Sequence, residues 1–75
     1  MLAGQALQVI PALQQSLKDP SPFVRGNSAW ALGRFGPLAT NAIADLERSS
    51  ADPNADVSAQ SIKSLRLIQG VDSHL

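Results

Sequence analysis

Apolar residues recur at helical spacing along the whole chain, and nowhere at the alternation that a strand requires. Ala6, Val9 or Ile10, Leu13 and Leu17 mark one face of a first helix, predicted over residues 3–18. Pro11 falls inside that stretch, lacks an amide proton and crowds the carbonyl of Leu7. Two forms fit: one helix kinked at Pro11, or a looser lead-in over 4–9 with regular helix from about Ile10. Asp19-Pro20-Ser21-Pro22 stops this helix and starts the next. Ser21 serves as N-cap and Pro22 takes the first helical position, where no amide proton is needed. Helix two is predicted over 22–35, burying Val24, Ser28, Ala31, Leu32 and Phe35, with Gly36 as a left-handed C′ residue. Pro37 opens a third helix over 37–49, whose apolar stripe is Ala39, Ala42, Ile43 and Leu46. In Ala51-Asp52-Pro53-Asn54 the earlier turn returns, with Asn54 capping a fourth helix over 55–69 and Asp56 near its positive end. Val57, Ser61 or Ile62, Leu65 and Ile68 form its buried face, Gly70 ends it, and 71–75 is expected to fray.

Displaced by 33 residues, the chain matches itself without a gap. Ile10, Leu13, Ser16, Asp19, Pro20, Val24, Ser28 and Leu32 recur as Ile43, Leu46, Ser49, Asp52, Pro53, Val57, Ser61 and Leu65. A fixed period of this size signals a solenoid, in which no unit buries its apolar face alone. Short loops make neighbouring helices antiparallel. The expected fold is therefore all-α: an α-solenoid of two stacked antiparallel helix hairpins, four helices in one domain over 1–75. Unit one spans about 4–36 and unit two about 37–70. Solenoids offer surface, so a binding role is the first expectation.

One set of residues is more specific. Val9-Ile10-Pro11-Ala12-Leu13, Leu17-Lys18-Asp19-Pro20, Val24-Arg25, Ser28-Ala29 and Ala31-Leu32-Gly33-Arg34-Phe35-Gly36-Pro37 resemble a HEAT repeat of the phycobilisome-lyase type. The likeness is nearly complete in the first unit and fair in the second, covering about residues 9–70. It implies a HEAT-like superhelix and leaves the function broad, because bilin lyases, hydroxylases and adaptors share the repeat. It also implies a ladder between units, with Asp19, Arg25 and Asp52 at the matching positions. Ser58 stands where the second unit would carry its Arg, and Lys63 and Arg66 replace Trp30 and Gly33. These departures read as a C-terminal cap. Leu2, Ala3, Ala6 and Leu7 give the N-terminal side no such polar cover. Solenoids usually need about three units to stand alone. Either the chain is part of a longer array, or that side docks on another copy or on a partner.

Composition narrows the chemistry. Charged residues make up 16% of the chain, against roughly 25% in average domains, so some surface is neutral or covered by a partner. Six basic and six acidic side chains cancel, which leaves no net field for nucleic acid or anionic lipid. Without cysteine there is no disulfide, thiolate metal site or thiol catalysis. Apolar runs fall well short of the roughly 18 residues a membrane span requires, and Met1 to Leu7 does not resemble a secretory signal. A cytoplasmic protein is the default. His74 is the single histidine, close to the C-terminus, and one imidazole forms neither a metal site nor a triad. Asp19, Asp45, Glu47, Asp52, Asp56 and Asp72 are scattered. Neither an enzyme nor a cofactor is expected, except a bilin lyase activity by family resemblance alone.

A stripe on helix two stands apart. Phe23, Asn27, Trp30 and Arg34 share a face turned away from the expected core, and Asp56, Gln60, Lys63 and Leu67 match them on helix four. Tryptophan beside arginine is the composition of an interaction hot spot. Trp30 lying over the stems of Arg34 and Lys63 as cover for the core is the plainer alternative. The expected binding surface is Phe23, Asn27, Trp30, Arg34, Gln60, Lys63 and Leu67, for a protein partner of unknown identity. A bilin lyase subunit or chromophore chaperone is the rival, and a homo-oligomer through the N-terminal side a further possibility.

Overall fold

A computed structural model describes residues 3–70. Four α-helices follow one another: α1 (Ala3–Ser16), α2 (Pro22–Arg34), α3 (Ile43–Ser49) and α4 (Ala55–Gln69), with a 3₁₀ segment Gly36–Ala42 leading into α3. Among the described residues there is no strand. The architecture is the all-α helical repeat that the periodicity predicts. α1 packs on α2 and α3 on α4, while α2 and α4 share the most extensive contact in the chain. The predicted tail, 71–75, lies outside the described residues.

The caps form as the turn chemistry requires. The Ser21 hydroxyl accepts from the Val24 amide, and the Asn54 side chain accepts from the amides of Asp56 and Val57. Gly36 and Gly70 both have positive φ, 58° and 69°, and close their helices where a side chain would be strained. α1 runs unbroken through Pro11, so the looser lead-in does not occur. Pro11 and Leu7 both lie on the exposed side, where solvent can serve the carbonyl that the missing amide leaves without a donor.

The third helix departs from expectation. Residues 36–42 wind as 3₁₀ turns with a kink at Ala39 (φ −94°, ψ 22°), and only Ile43–Ser49 is α-helical. Thr40 offers a reason: its hydroxyl donates to the Pro37 carbonyl at 2.6 Å, a local bond that competes with the regular ladder. The stripe still faces inward, with Ala39, Ala42 and Leu46 fully buried and Ile43 half-buried.

Leu32, Leu46 and Val57 are the largest apolar side chains with no exposure, and Ala6, Ile10, Leu17, Ala29 and Ile68 complete the core. Two expected faces are rotated. α2 buries Ser28, Ala29, Leu32 and Gly33, while Val24 is exposed and Ala31 and Phe35 are only half-buried. α4 buries Ser61 rather than Ile62, adds Ser64, and leaves Leu65 half-buried. The cause lies in the α2–α4 crossing, which selects small residues. Gly33 approaches Ser64 so closely that a Cβ on it would meet the Ser64 Cα at 3.0 Å. The Ser64 hydroxyl donates to the Ala29 carbonyl, and that of Ser61 to the Val57 carbonyl at 2.8 Å. Among the described residues no buried side-chain polar atom lacks a partner, so the serines enter the core fully satisfied.

Candidate functional site

Pro22 at the first turn of α2 and Asn54 at the cap of α4 start the two helices side by side, and an open cleft of about 700 Å³ lies between them. Pro22, Phe23, Gly26, Asn27 and Trp30 line it from α2, and Asn54, Asp56 and Gln60 from the start of α4. Phe23 is 80% exposed and Trp30 51%. The Arg34 guanidinium sits 5.2 Å from the centroid of the Trp30 ring, one helical turn further along, within cation–π range. The indole is therefore not sunk between helix layers. It stands on a ridge, because its other side borders a second groove of about 420 Å³ lined by Leu13, Val24, Asn27, Ser28 and Ala31.

Of the seven residues expected on the binding surface, Phe23, Asn27, Trp30 and Gln60 meet around the first cleft. Arg34 joins them through the Trp30 ring. Lys63 and Leu67 are exposed further along α4 and do not line the cleft. The cleft also includes residues left off that surface: Pro22, Gly26, Asn54 and Asp56. Asp56 was visible as the counterpart of Phe23, but its place in the wall depends on where α4 begins.

Next to the cleft's Asn54 end the loop residues meet. Arg25 makes a forked contact with Asp52, Nε to Oδ2 at 2.8 Å and Nη2 to Oδ1 at 3.2 Å. Its Nη1 donates to the backbone carbonyls of Asp19 and Pro20 at 2.9 and 3.1 Å. Asp52 Oδ1 also accepts the Asn54 amide, and Asp19 Oδ1 accepts the Ser21 amide in the same way. The hydrogen bond from Arg25, reinforced by the Asn54 amide, holds the Asp52 carboxyl below its ordinary pKa. The same bond raises the Arg25 guanidinium further. Ser58, one period after Arg25, donates to the Ser50 carbonyl at 2.7 Å and so ties only its own loop. A second tie had no signal in the sequence: Gln14 Nε2 on α1 donates to Asp45 Oδ2 on α3 at 2.8 Å. Asp45 also pairs with Arg48. Two scattered polar residues 31 positions apart fit no motif.

Among the described residues no three His, Cys, Asp or Glu side chains gather to hold a metal ion, and His74 lies outside them. No described helix is long and apolar enough to cross a membrane. With two stacked hairpins, an inter-unit ion pair and a 33-residue period on the page, the class is defined. The sequence matches the family model for HEAT repeats over residues 2–66, and the chain belongs to that family. HEAT repeats generally mediate protein–protein interaction and are typically non-catalytic scaffolds. No curated protein and no solved structure matches the chain.

Proposed function

We propose that the chain is a non-catalytic binding module, with units over 4–36 and 37–70, that seats a protein partner in the cleft between α2 and α4. One observation carries this reading: the chain's single tryptophan and the more exposed of its two phenylalanines flank one open cleft instead of filling the core. Large exposed aromatics cost solvation unless something covers them, and tryptophan beside arginine is the usual composition of an interface anchor. Phe23 and Trp30 supply the apolar contact, Asn27 and Gln60 the amide hydrogen bonds, and Arg34 orients the indole. Arg25 and Asp52, with Asp19 in the adjoining turn, set the angle between the units and hence the width of the cleft.

The test is capture of partners from a lysate by the native chain, with Trp30→Ala and Phe23→Ala chains as controls. Proteins retained by the native chain and lost with both folded variants support the reading; proteins retained by all three overturn it. The rival, a bilin-binding protein of the phycobilisome-lyase type, would use the same Trp30–Arg34 pair against a flat conjugated ligand. Titration with a free bilin separates the two. Quenching of Trp30 emission at micromolar bilin favours the rival, and unchanged emission removes it.

A further inference from the structure

α2 and α4 run parallel and in register. Gly26 lies against Val57 and Gly33 against Ser64, an advance of seven residues on each helix. Both helices therefore lead from their caps, Ser21 and Asn54, toward the same end of the molecule. Asp56, Gln60, Lys63 and Leu67 follow at helical spacing on α4, as Phe23, Asn27, Trp30 and Arg34 do on α2, so each set keeps one face.

Charge is divided along this face. Asp56 is the only charged residue in the lining of the cleft. About one helical turn past Trp30 and Gln60 stand Arg34 and Lys63, both exposed. The ion pairs among the described residues are Arg25–Asp52 and Arg48–Asp45, so none of Asp56, Arg34 and Lys63 has an opposite charge beside it there. Between these ends, the side-chain amides of Asn27 and Gln60 hydrogen-bond to no other described residue. The face thus offers acid at one end, base at the other, and aromatic rings with free amides between.

These free amides separate two kinds of occupant. An α-helix has already used its backbone N–H and C=O groups internally and would leave Asn27 and Gln60 unmatched. An extended segment still carries both groups, and an amide side chain can donate to one and accept from the other. The spacing agrees. Seven helical residues separate Asp56 from Lys63, about 10 Å along α4. In an extended segment alternate side chains point the same way, and positions i and i+4 stand about 13 Å apart. The long side chains of Lys63 and Arg34 cover the difference.

We propose that the cleft takes an extended peptide segment of a partner protein, with a basic and an acidic residue placed two positions to either side of an apolar one. The basic side chain pairs with Asp56 and the acidic one with Lys63 and Arg34. The apolar side chain enters between Phe23 and Trp30, and Asn27 and Gln60 bond to the segment's backbone. The order of charges on the segment is fixed by the order of charges along α4. This assignment rests on the cleft being the binding site and adds the chemistry of what it takes.

Immobilised short peptides with a central leucine and random remaining positions test it. The residues two positions to either side are one lysine and one glutamate in either order, two lysines, two glutamates, or two glutamines. The mixed-charge set should retain about fivefold more of the chain than the glutamine set, the gain expected of two exposed ion pairs, and lose that advantage as salt rises. Asp56→Lys should move the preference to the doubly acidic set. Lys63→Glu, an exposed change in mid-helix, should reduce the advantage of the mixed set. Equal retention of mixed and neutral sets, or a preference that neither substitution alters, would overturn the proposal. If that charge-blind binding is still lost with Trp30→Ala, the cleft remains the binding site and only the peptide chemistry fails. Retention of no peptide set would also overturn the proposal, and capture of a folded partner from a lysate would then test the cleft independently.

Discussion

Gly33 on α2 lies against Ser64 on α4 so tightly that a methyl group on the glycine would come within 2.9 Å of the serine Cβ and 3.0 Å of its Cα. Backbone cannot yield as a flexible side-chain end can, so the substitution separates the helices or strains them. Gly33→Ala should therefore destabilise by about 2 kcal/mol, even though alanine is the better helix former by about 1 kcal/mol. Gly26 supplies the control, since a Cβ there meets only Val57 Cγ2 at 3.8 Å, an ordinary contact. Gly26→Ala should stabilise by roughly 0.5–1 kcal/mol. Urea unfolding of the two variants should move the midpoint in opposite directions.

Burial sorts four leucines that look equivalent in sequence. Leu32 and Leu46 have no exposure, whereas Leu13 and Leu65 are half-buried. Truncation of Leu32 or Leu46 to alanine should cost about 2–5 kcal/mol, a large share of what so small a domain holds, and truncation of Leu13 or Leu65 clearly less. Thermal melts of the four variants test the order.

The forked pair of Arg25 and Asp52 gives acid stability a definite sign. Asp52 is depressed in the folded chain, so its contribution is present above the unfolded carboxyl pKa and is lost as pH falls through the lower folded value. Stability should hold from neutral pH down to about pH 4 and drop below it, as far as this group is concerned. The raised Arg25 contributes throughout that window, because its own loss would come only above its unfolded pKa, far on the alkaline side. Asp52→Asn should melt lower at neutral pH and show a shallower decline in acid. Melting curves from pH 2 to pH 7, roughly spanning the carboxyl range, test this.

Trp30 reports on its own environment because it is the single tryptophan. Half-exposed and beneath Arg34, it should emit at long wavelength and be quenched readily by acrylamide. Emission typical of a buried indole would place it in the core instead.

How much of this was legible follows from which signals are local. Caps at Ser21 and Asn54, the glycine ends at Gly36 and Gly70, and the span of α4 follow from near neighbours in sequence, and the structure agrees at each. The rotation of α2 was not legible. Val24 and Ala31 continue the apolar spacing of Leu32, but that spacing describes a unit packed on both sides, and among the described residues the first unit is packed on one. Ala6, which the spacing places on the core face of the first helix and which also stands among the N-terminal residues without polar cover, is buried, while Leu7 is exposed. Leu2 lies outside the described residues. The 3₁₀ winding before α3 was hidden because Thr40 reads as an ordinary exposed helix position until its hydroxyl finds Pro37. In the candidate site the stripe Phe23, Asn27, Trp30 and Arg34 could be read from spacing within one helix. The opposite wall, Asn54, Asp56 and Gln60, depends on the crossing that Gly33 and Ser64 permit.

The most direct measurement pairs stability with capture for the Trp30→Ala chain. If Phe23 and Trp30 form an anchor for a protein partner, the variant melts within about 3 °C of the native chain while the captured partner disappears. A melting point lower by about 10 °C or more, or a partner captured undiminished by a folded variant, would contradict it.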